Sequence, residues 1–184
     1  IDQWDVTNIT DMSYMFSNCI VFNNQNLGNW QRSTPGNTST TSNVTSMLQM
    51  FNNAAAFTGT GIHLWNVTGV INMERMFVLC TVLNNQNLGN WQRSTPGNTS
   101  TTSNVTSMAS MFGAATAFTG AGIDQWNVTS VKDMAFMLYN CSSFNNLNLS
   151  NWQRITPGNT SSTSTVTSMS AMFLGAAALY NPNG

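Results

Sequence analysis

Charge is what this sequence has least of: Asp, Glu, Lys and Arg together make up 6% of its 184 residues, and the formal net charge is −1. Capture of nucleic acid or of an anionic membrane surface needs dense Lys and Arg, so both are excluded as partners. Apolar runs are short as well. None approaches the roughly 20 residues of a membrane span and none reads as a secretory leader, so no membrane insertion is expected of this segment. Histidine occurs once, as His63, where the equivalent positions carry Asp2 and Asp124. Without a Cys or Ser partner at a recognisable spacing, a paired acid, a phosphate loop or a zinc cluster, the chain is expected to be no enzyme and to hold no catalytic residue, metal or cofactor. Cysteine occurs three times, as Cys19, Cys80 and Cys141, once every 61 residues.

That spacing belongs to the whole chain. Ile1-Asp2-Gln3-Trp4-Asp5-Val6 returns as Ile62-His63-Leu64-Trp65-Asn66-Val67 and as Ile123-Asp124-Gln125-Trp126-Asn127-Val128, and the run from Asn23 to Met47 recurs unchanged from Asn84 to Met108. A fixed period of this kind predicts a solenoid of three units, 1–61, 62–122 and 123–184, continuous with one another. Each unit divides again. Trp4, Trp30, Trp65, Trp91, Trp126 and Trp152 are spaced alternately by 26 and 35 residues, which makes a short and a long coil per unit and six coils in all. All twelve methionines fall into six pairs with the same alternation: Met12 and Met15, Met47 and Met50, Met73 and Met76, Met108 and Met111, Met134 and Met137, Met169 and Met172. Three-residue spacing places both sulfurs on one side of a helical or 3₁₀ turn, facing the core. No coil buries enough surface to fold alone, so stability is expected from ladders of like residues along the axis.

The extra length of the long coil sits in Gln31 to Ser42, repeated at 92–103 and 153–164. Pro-Gly is a turn signal and the hydroxyl residues have no apolar partner, so a polar surface loop or hairpin is expected to project from alternate coils.

The motif Val-Thr-x-Val-x-x-Met-x-x-Met-Phe-x-x-Cys/Ala-x-x-Phe-Asn-x-x-x-Leu-x-x-Trp, carried by Trp126 to Met134 and by Met15 to Cys19 among others, resembles the BspA-like branch of the leucine-rich repeats. It is most similar to the methionine- and tryptophan-bearing surface-protein repeat first recognised in mycoplasmas as a domain of unknown function. The resemblance implies a parallel β-sheet on one face of each coil, short helical or 3₁₀ turns on the other, and a cell-surface or extracellular location. The Ser/Thr-rich insert in alternate coils departs from that pattern. At the sheet spacing of about 4.8 Å, cysteines two coils apart would lie about 10 Å from one another. A disulfide needs Cα atoms within about 7 Å, so Cys19, Cys80 and Cys141 are expected as buried free thiols sharing a ladder with Ala54, Ala115 and Ala176.

Asn-x-Ser/Thr sequons occur at Asn8, Asn37, Asn43, Asn66, Asn98, Asn104, Asn127, Asn140, Asn148 and Asn159. Asn37, Asn98 and Asn159 stand out, each following Pro-Gly in the inserted loop, where an N-linked glycan would be accommodated. The flanking Ser/Thr cluster resembles an O-glycosylated stalk. Asn66, Asn127, Asn43 and Asn104 are lesser candidates, with the turn-residue reading standing beside them. Paired methionines could bind Cu(I) and exposed tryptophans could bind sugars, but both residue types recur where the fold needs apolar filling. Arg32, Arg93 and Arg154 open the loops in register, either to cap the loop base or to face an acid. Both ends of the chain lack a polar capping segment, so association end to end or continuation in a longer repeat chain is expected. These features together suggest a structural extracellular fibre segment bearing glycans. The alternative is a surface adhesin that reads an unknown host or matrix ligand with the exposed sheet face around Asn24, Gln25 and Asn26.

Overall fold

The computed structural model describes residues 1–23, 26–34, 37–84, 87–95, 98–145, 148–156 and 159–180, and their side chains except at 34, 37, 94, 95, 98, 154–156, 159, 160 and 180. Each methionine segment is built from successive four-residue turns. Met15 N donates to Met12 O and Cys19 N to Phe16 O, with Tyr14 and Asn18 at φ 60° and 61°. Those left-handed residues occupy the third place of their turns, the place a type II turn reserves for positive φ. The pair recurs as Gln49 and Asn53, Arg75 and Leu79, Ser110 and Ala114, Phe136 and Asn140, and Ala171 and Gly175.

Sequence-equivalent turn segments lie side by side and are joined through their backbones. The N–H groups of Met12, Tyr14, Phe16 and Asn18 donate to the carbonyls of Ser46, Leu48, Met50 and Asn52. Met47, Gln49, Phe51 and Asn53 donate in turn to Asn72, Glu74, Met76 and Val78, and the ladder repeats at each later junction with N···O distances of 2.7–3.0 Å. Among the described residues parallel pairing is confined to isolated bridges, from Asp11 to Ser46, Asn72, Ser107, Asp133 and Ser168 in succession.

This overturns the expected leucine-rich-repeat-like solenoid of six sheet-forming coils. Among the described residues every strand belongs to one of three two-stranded antiparallel sheets: β1 (Arg32–Thr34) with β2 (Asn37–Ser39), β3 (Arg93–Thr95) with β4 (Asn98–Ser100), and β5 (Arg154–Thr156) with β6 (Asn159–Ser161). Helical structure among the described residues consists of six single 3₁₀ turns: η1 (Leu27–Trp30), η2 (Ile62–Leu64), η3 (Leu88–Trp91), η4 (Ile123–Gln125), η5 (Leu149–Trp152) and η6 (Ala177–Tyr180). The left-handed residues are the physical reason. A backbone that turns every four residues cannot supply the run of extended φ/ψ that a parallel strand requires. For the same reason each methionine pair spans a β-turn and not a turn of helix.

The apolar residues form one core in which like packs on like. The rings of Trp30 and Trp65 stack at 5.7 Å and 7°, those of Trp91 and Trp126 at 5.6 Å and 9°, and Phe51 lies 5.7 Å from Phe77. Every buried indole also has a polar anchor. Nε1 of Trp30, Trp65, Trp91, Trp126 and Trp152 donates to the carbonyl of Ile1, Leu27, Ile62, Leu88 and Ile123, respectively, at 2.8–2.9 Å. Trp4, in contrast, is 49% exposed. Met12, Met47, Met50, Met73, Met76, Met108, Met111, Met134, Met137 and Met172 are buried, whereas Met15 and Met169 are exposed. The exposed residues of both sets lie in the first and last turn segments, each of which has a neighbour on one side only.

Candidate functional site

The hairpins are the candidate site, because the sequence places its modification motifs there. Their bases are stitched into the body of the molecule by the hydroxyl residues that the sequence reading left without a partner. Ser39, Thr41, Ser100, Thr102 and Ser161 are buried. The Oγ atoms of Ser39, Ser100 and Ser161 accept from the backbone N–H of Val6, Val67 and Val128, each at 3.0 Å. Thr41 Oγ1 accepts from Asn66 N at 2.9 Å and donates to Asn66 O at 3.0 Å, and Thr102 makes the same pair of bonds with Asn127. Gln31 Oε1 accepts from Thr41 N and Thr40 Oγ1, as Gln92 Oε1 does from Thr102 N and Thr101 Oγ1. The sequence does not show these polar roles because the partners of the serines and threonines lie 25 or 33 residues away, and those of Gln31 and Gln92 lie 9 or 10 away across the hairpin. The one usable signal, recurrence in register, is shared by nearly every residue of the copied loop.

Replacing Ser100 with alanine should leave the N–H of fully buried Val67 unpaired, at a cost of about 1–3 kcal/mol. Urea denaturation should show that loss for S100A and almost none for S33A, since Ser33 is exposed.

The arginines cap the base of the hairpin. The guanidinium of Arg32 donates to the carbonyls of Gln3 and Trp4, each at 3.1 Å, and that of Arg93 to Leu64 and Trp65 at 2.9 and 3.0 Å. The side chain of Arg154 lies outside the described ones. A polar cavity opens at the base of each of the first two hairpins. The first, about 340 Å³, is lined by Thr7, Gln31, Arg32, Ser33, Thr38, Ser39, Thr40 and Asn66. The second, about 330 Å³, is lined by Thr68, Gln92, Arg93, Thr99, Ser100, Thr101, Ser103 and Asn127.

The sequons fall into distinct environments. Asn37, Asn98 and Asn159 begin β2, β4 and β6, and their side chains lie outside the described ones. The hydroxyl of each of these sequons is the buried Ser39, Ser100 or Ser161. Asn43 Nδ2 donates to Thr7 O at 2.7 Å and Asn104 Nδ2 to Thr68 O at 2.8 Å. Asn66 Oδ1 and Asn127 Oδ1 each accept from the backbone N–H two residues on, Thr68 and Thr129, at 3.0 Å. This is an Asx-turn. Asp5 makes the same turn with Thr7 N at 3.0 Å, and hydrogen bonds from Thr7 hold its carboxyl below the usual 3.8. Among the described residues the sheet face suggested for recognition does not form, and Asn24 and Gln25 lie outside them.

The thiols differ among themselves. Cys19 is exposed, while Cys80 Sγ and Cys141 Sγ are buried and donate to Phe51 O and Phe112 O at 3.1 and 2.9 Å. Burial pushes both buried thiols up to about 12. Titration of the native chain with an aromatic disulfide reagent should therefore modify Cys19 promptly and the other two only on unfolding, since the thiolate is the nucleophile. Among the described residues, no group of three or more His, Cys, Asp or Glu side chains could hold a metal ion, and no helix is long and apolar enough to cross a membrane.

The family model described as "Mycoplasma protein of unknown function, DUF285" matches the chain twice, over residues 1–102 and 97–183. No curated protein and no solved structure matches it.

Proposed function

The chain belongs to the DUF285 family, and on that premise we propose that it is a structural repeat protein of the cell surface or extracellular space, a segment of a glycan-bearing fibre with no enzymatic role. The observation that carries this reading is the backbone ladder. It crosses the borders between 61-residue units, as from Asn53 to Val78, in the same way as it crosses the middle of each unit, as from Leu79 to Gly113. Repeats added in that register would lengthen the object without any new kind of contact. Exposed apolar side chains at either end of the row, Ile9 and Met15 on one side and Met169 and Leu174 on the other, suit burial under a further repeat, in the same polypeptide or in a second copy. The sequence motif supports kinship with the BspA-like surface repeats.

A role as an adhesin is the second reading, favoured by the paired polar cavities at the hairpins. Electron cryo-microscopy of the material as isolated separates the two. Continuous rods with branched density at sequons are expected of the fibre, and discrete bare monomers would replace that reading with the adhesin.

A further inference from the structure

We infer that Asn66 and Asn127 join the exposed Asn8 as N-glycan acceptors of the folded chain, and that the first saccharide on Asn66 and on Asn127 sits in the hydroxyl-lined cavity at the neighbouring hairpin base. The inference rests on the reading of the chain as glycan-bearing, and it reverses the ranking that the sequence suggests.

Transfer to a sequon needs two groups at once, the asparagine Nδ2 and the hydroxyl two residues on. In the folded chain the hairpin sequons cannot present the second, because Ser39 and Ser100 are buried with their oxygens held by Val6 N and Val67 N. At Asn43 and Asn104 both groups are engaged, since Nδ2 donates to Thr7 O and Thr68 O and the Thr45 and Thr106 hydroxyls donate to Thr10 O and Ile71 O. At Asn66 and Asn127 the side-chain oxygen is occupied by the Asx-turn, and among the described residues nothing takes the nitrogen or the Thr68 and Thr129 hydroxyls. Both asparagines are half-buried and line the two polar cavities. The walls offer hydroxyl and amide groups and no carboxylate, and the one charged group in each, Arg32 or Arg93, has its guanidinium donated to backbone carbonyls, which suits a sugar's hydroxyls. Asn8 is exposed and outside both cavities, so it is a sequon that any active transferase should reach.

The donor is a glycosyl phosphate, nucleotide-linked or lipid-linked. The Asn Nδ2 electron pair forms a bond to the anomeric carbon while the bond from that carbon to the phosphate oxygen breaks. The phosphate leaves with the electron pair, and the nitrogen gives up one proton to a base of the transferase.

The test uses the full chain made in a cytoplasm without N-glycosylation, treated folded and again in urea with a soluble N-glycosyltransferase and its nucleotide-hexose donor, followed by peptide mapping. One hexose each is expected at Asn8, Asn66 and Asn127 in the folded chain, with Asn37, Asn43, Asn98 and Asn104 joining only in urea. Modification of the hairpin sequons in the folded chain to the level of Asn66 would overturn the inference. So would an unmodified Asn66 and Asn127 beside a modified Asn8. The N66D and N127D variants, which keep the turn that Asp5 makes, should lose their hexose with no change in melting temperature. Nuclear Overhauser contacts from the hexose on Asn66 to the methyl groups of Thr7 and Thr40 are expected, and their absence would remove the cavity from the proposal. Mapping of sugar on the material as isolated tests the glycan-bearing reading separately.

Discussion

Replacing Gly61 or Gly122 with alanine is expected to destabilise the fold by about 2–5 kcal/mol at each site, summing a left-handed backbone of about 1–2 and overpacking of about 1–3. Gly61 has φ +86°, and a Cβ there would lie 2.3 Å from both Asn26 Oδ1 and Gly28 N. Those two atoms are hydrogen-bonded to each other at 3.1 Å and cap η1, so neither can retreat without opening the turn that carries Trp30. At Gly122 the same contacts are 2.1 Å to Asn87 Oδ1 and 2.2 Å to Gly89 N. Gly113 provides the contrast. Its nearest neighbour would be Ser110 O at 3.4 Å, and G113A should change stability by less than about 1 kcal/mol. Urea midpoints for the three variants decide the matter, and a G61A as silent as G113A would refute the close approach.

The second large effect is alkaline. In the folded chain the thiols of Cys80 and Cys141 stand at about 12, against an ordinary 9.0, because burial disfavours the thiolate. A raised pKa for a group that is neutral when protonated means that the unfolded chain gives up its proton first. The contribution is therefore intact below about pH 9 and is lost as pH climbs from 9 toward 12. Three units correspond to about 4 kcal/mol per thiol at the upper end of that window. Alanine fills the related positions Ala54 and Ala115 fully buried, so the C80A/C141A chain should fold and show a flatter decline. Stability measured at several pH values above 9 tests this. An equally steep loss in the double variant would place its origin in other groups.

The 61-residue recurrence could be read because every copy repeats its anchors. Trp30 and Trp65 face one another because the same indole is required twice, and sequence spacing contains that information. The left-handed pairs were harder to read. Asn18, Asn53, Asn140 and Gly175 are types that tolerate positive φ, and four such residues in register were a usable signal. The first members of the pairs, such as Tyr14, Gln49, Arg75 and Phe136, carry no such preference, and their N–H groups are held by carbonyls 25 or 34 residues away that local propensity cannot see. Without those positions a β-turn segment and a half-buried parallel strand give the same succession of single apolar anchors. The hairpins followed from Pro-Gly between hydroxyl runs, but the burial of Ser39 against Val6 did not, because a hydroxyl has no apolar signature to betray it. That omission ranked the hairpin sequons first.

The ladder between turn segments also has a direction. Between segments most of the donating N–H groups point onward to later residues, as Met12 toward Ser46 and Met134 toward Ser168, while bonds in the opposite sense, such as Thr45 N to Thr10 O, are fewer. In an ordinary sheet the peptide dipoles alternate and nearly cancel, whereas here they add as they do along an α-helix. With charged residues only 6% of the chain, little side-chain charge is present to mask the sum. The ladder thus gives the row of turn segments a polarity, with its surplus of N–H groups directed toward the later segments, so the two faces of any one segment are chemically unlike even though the units are nearly the same.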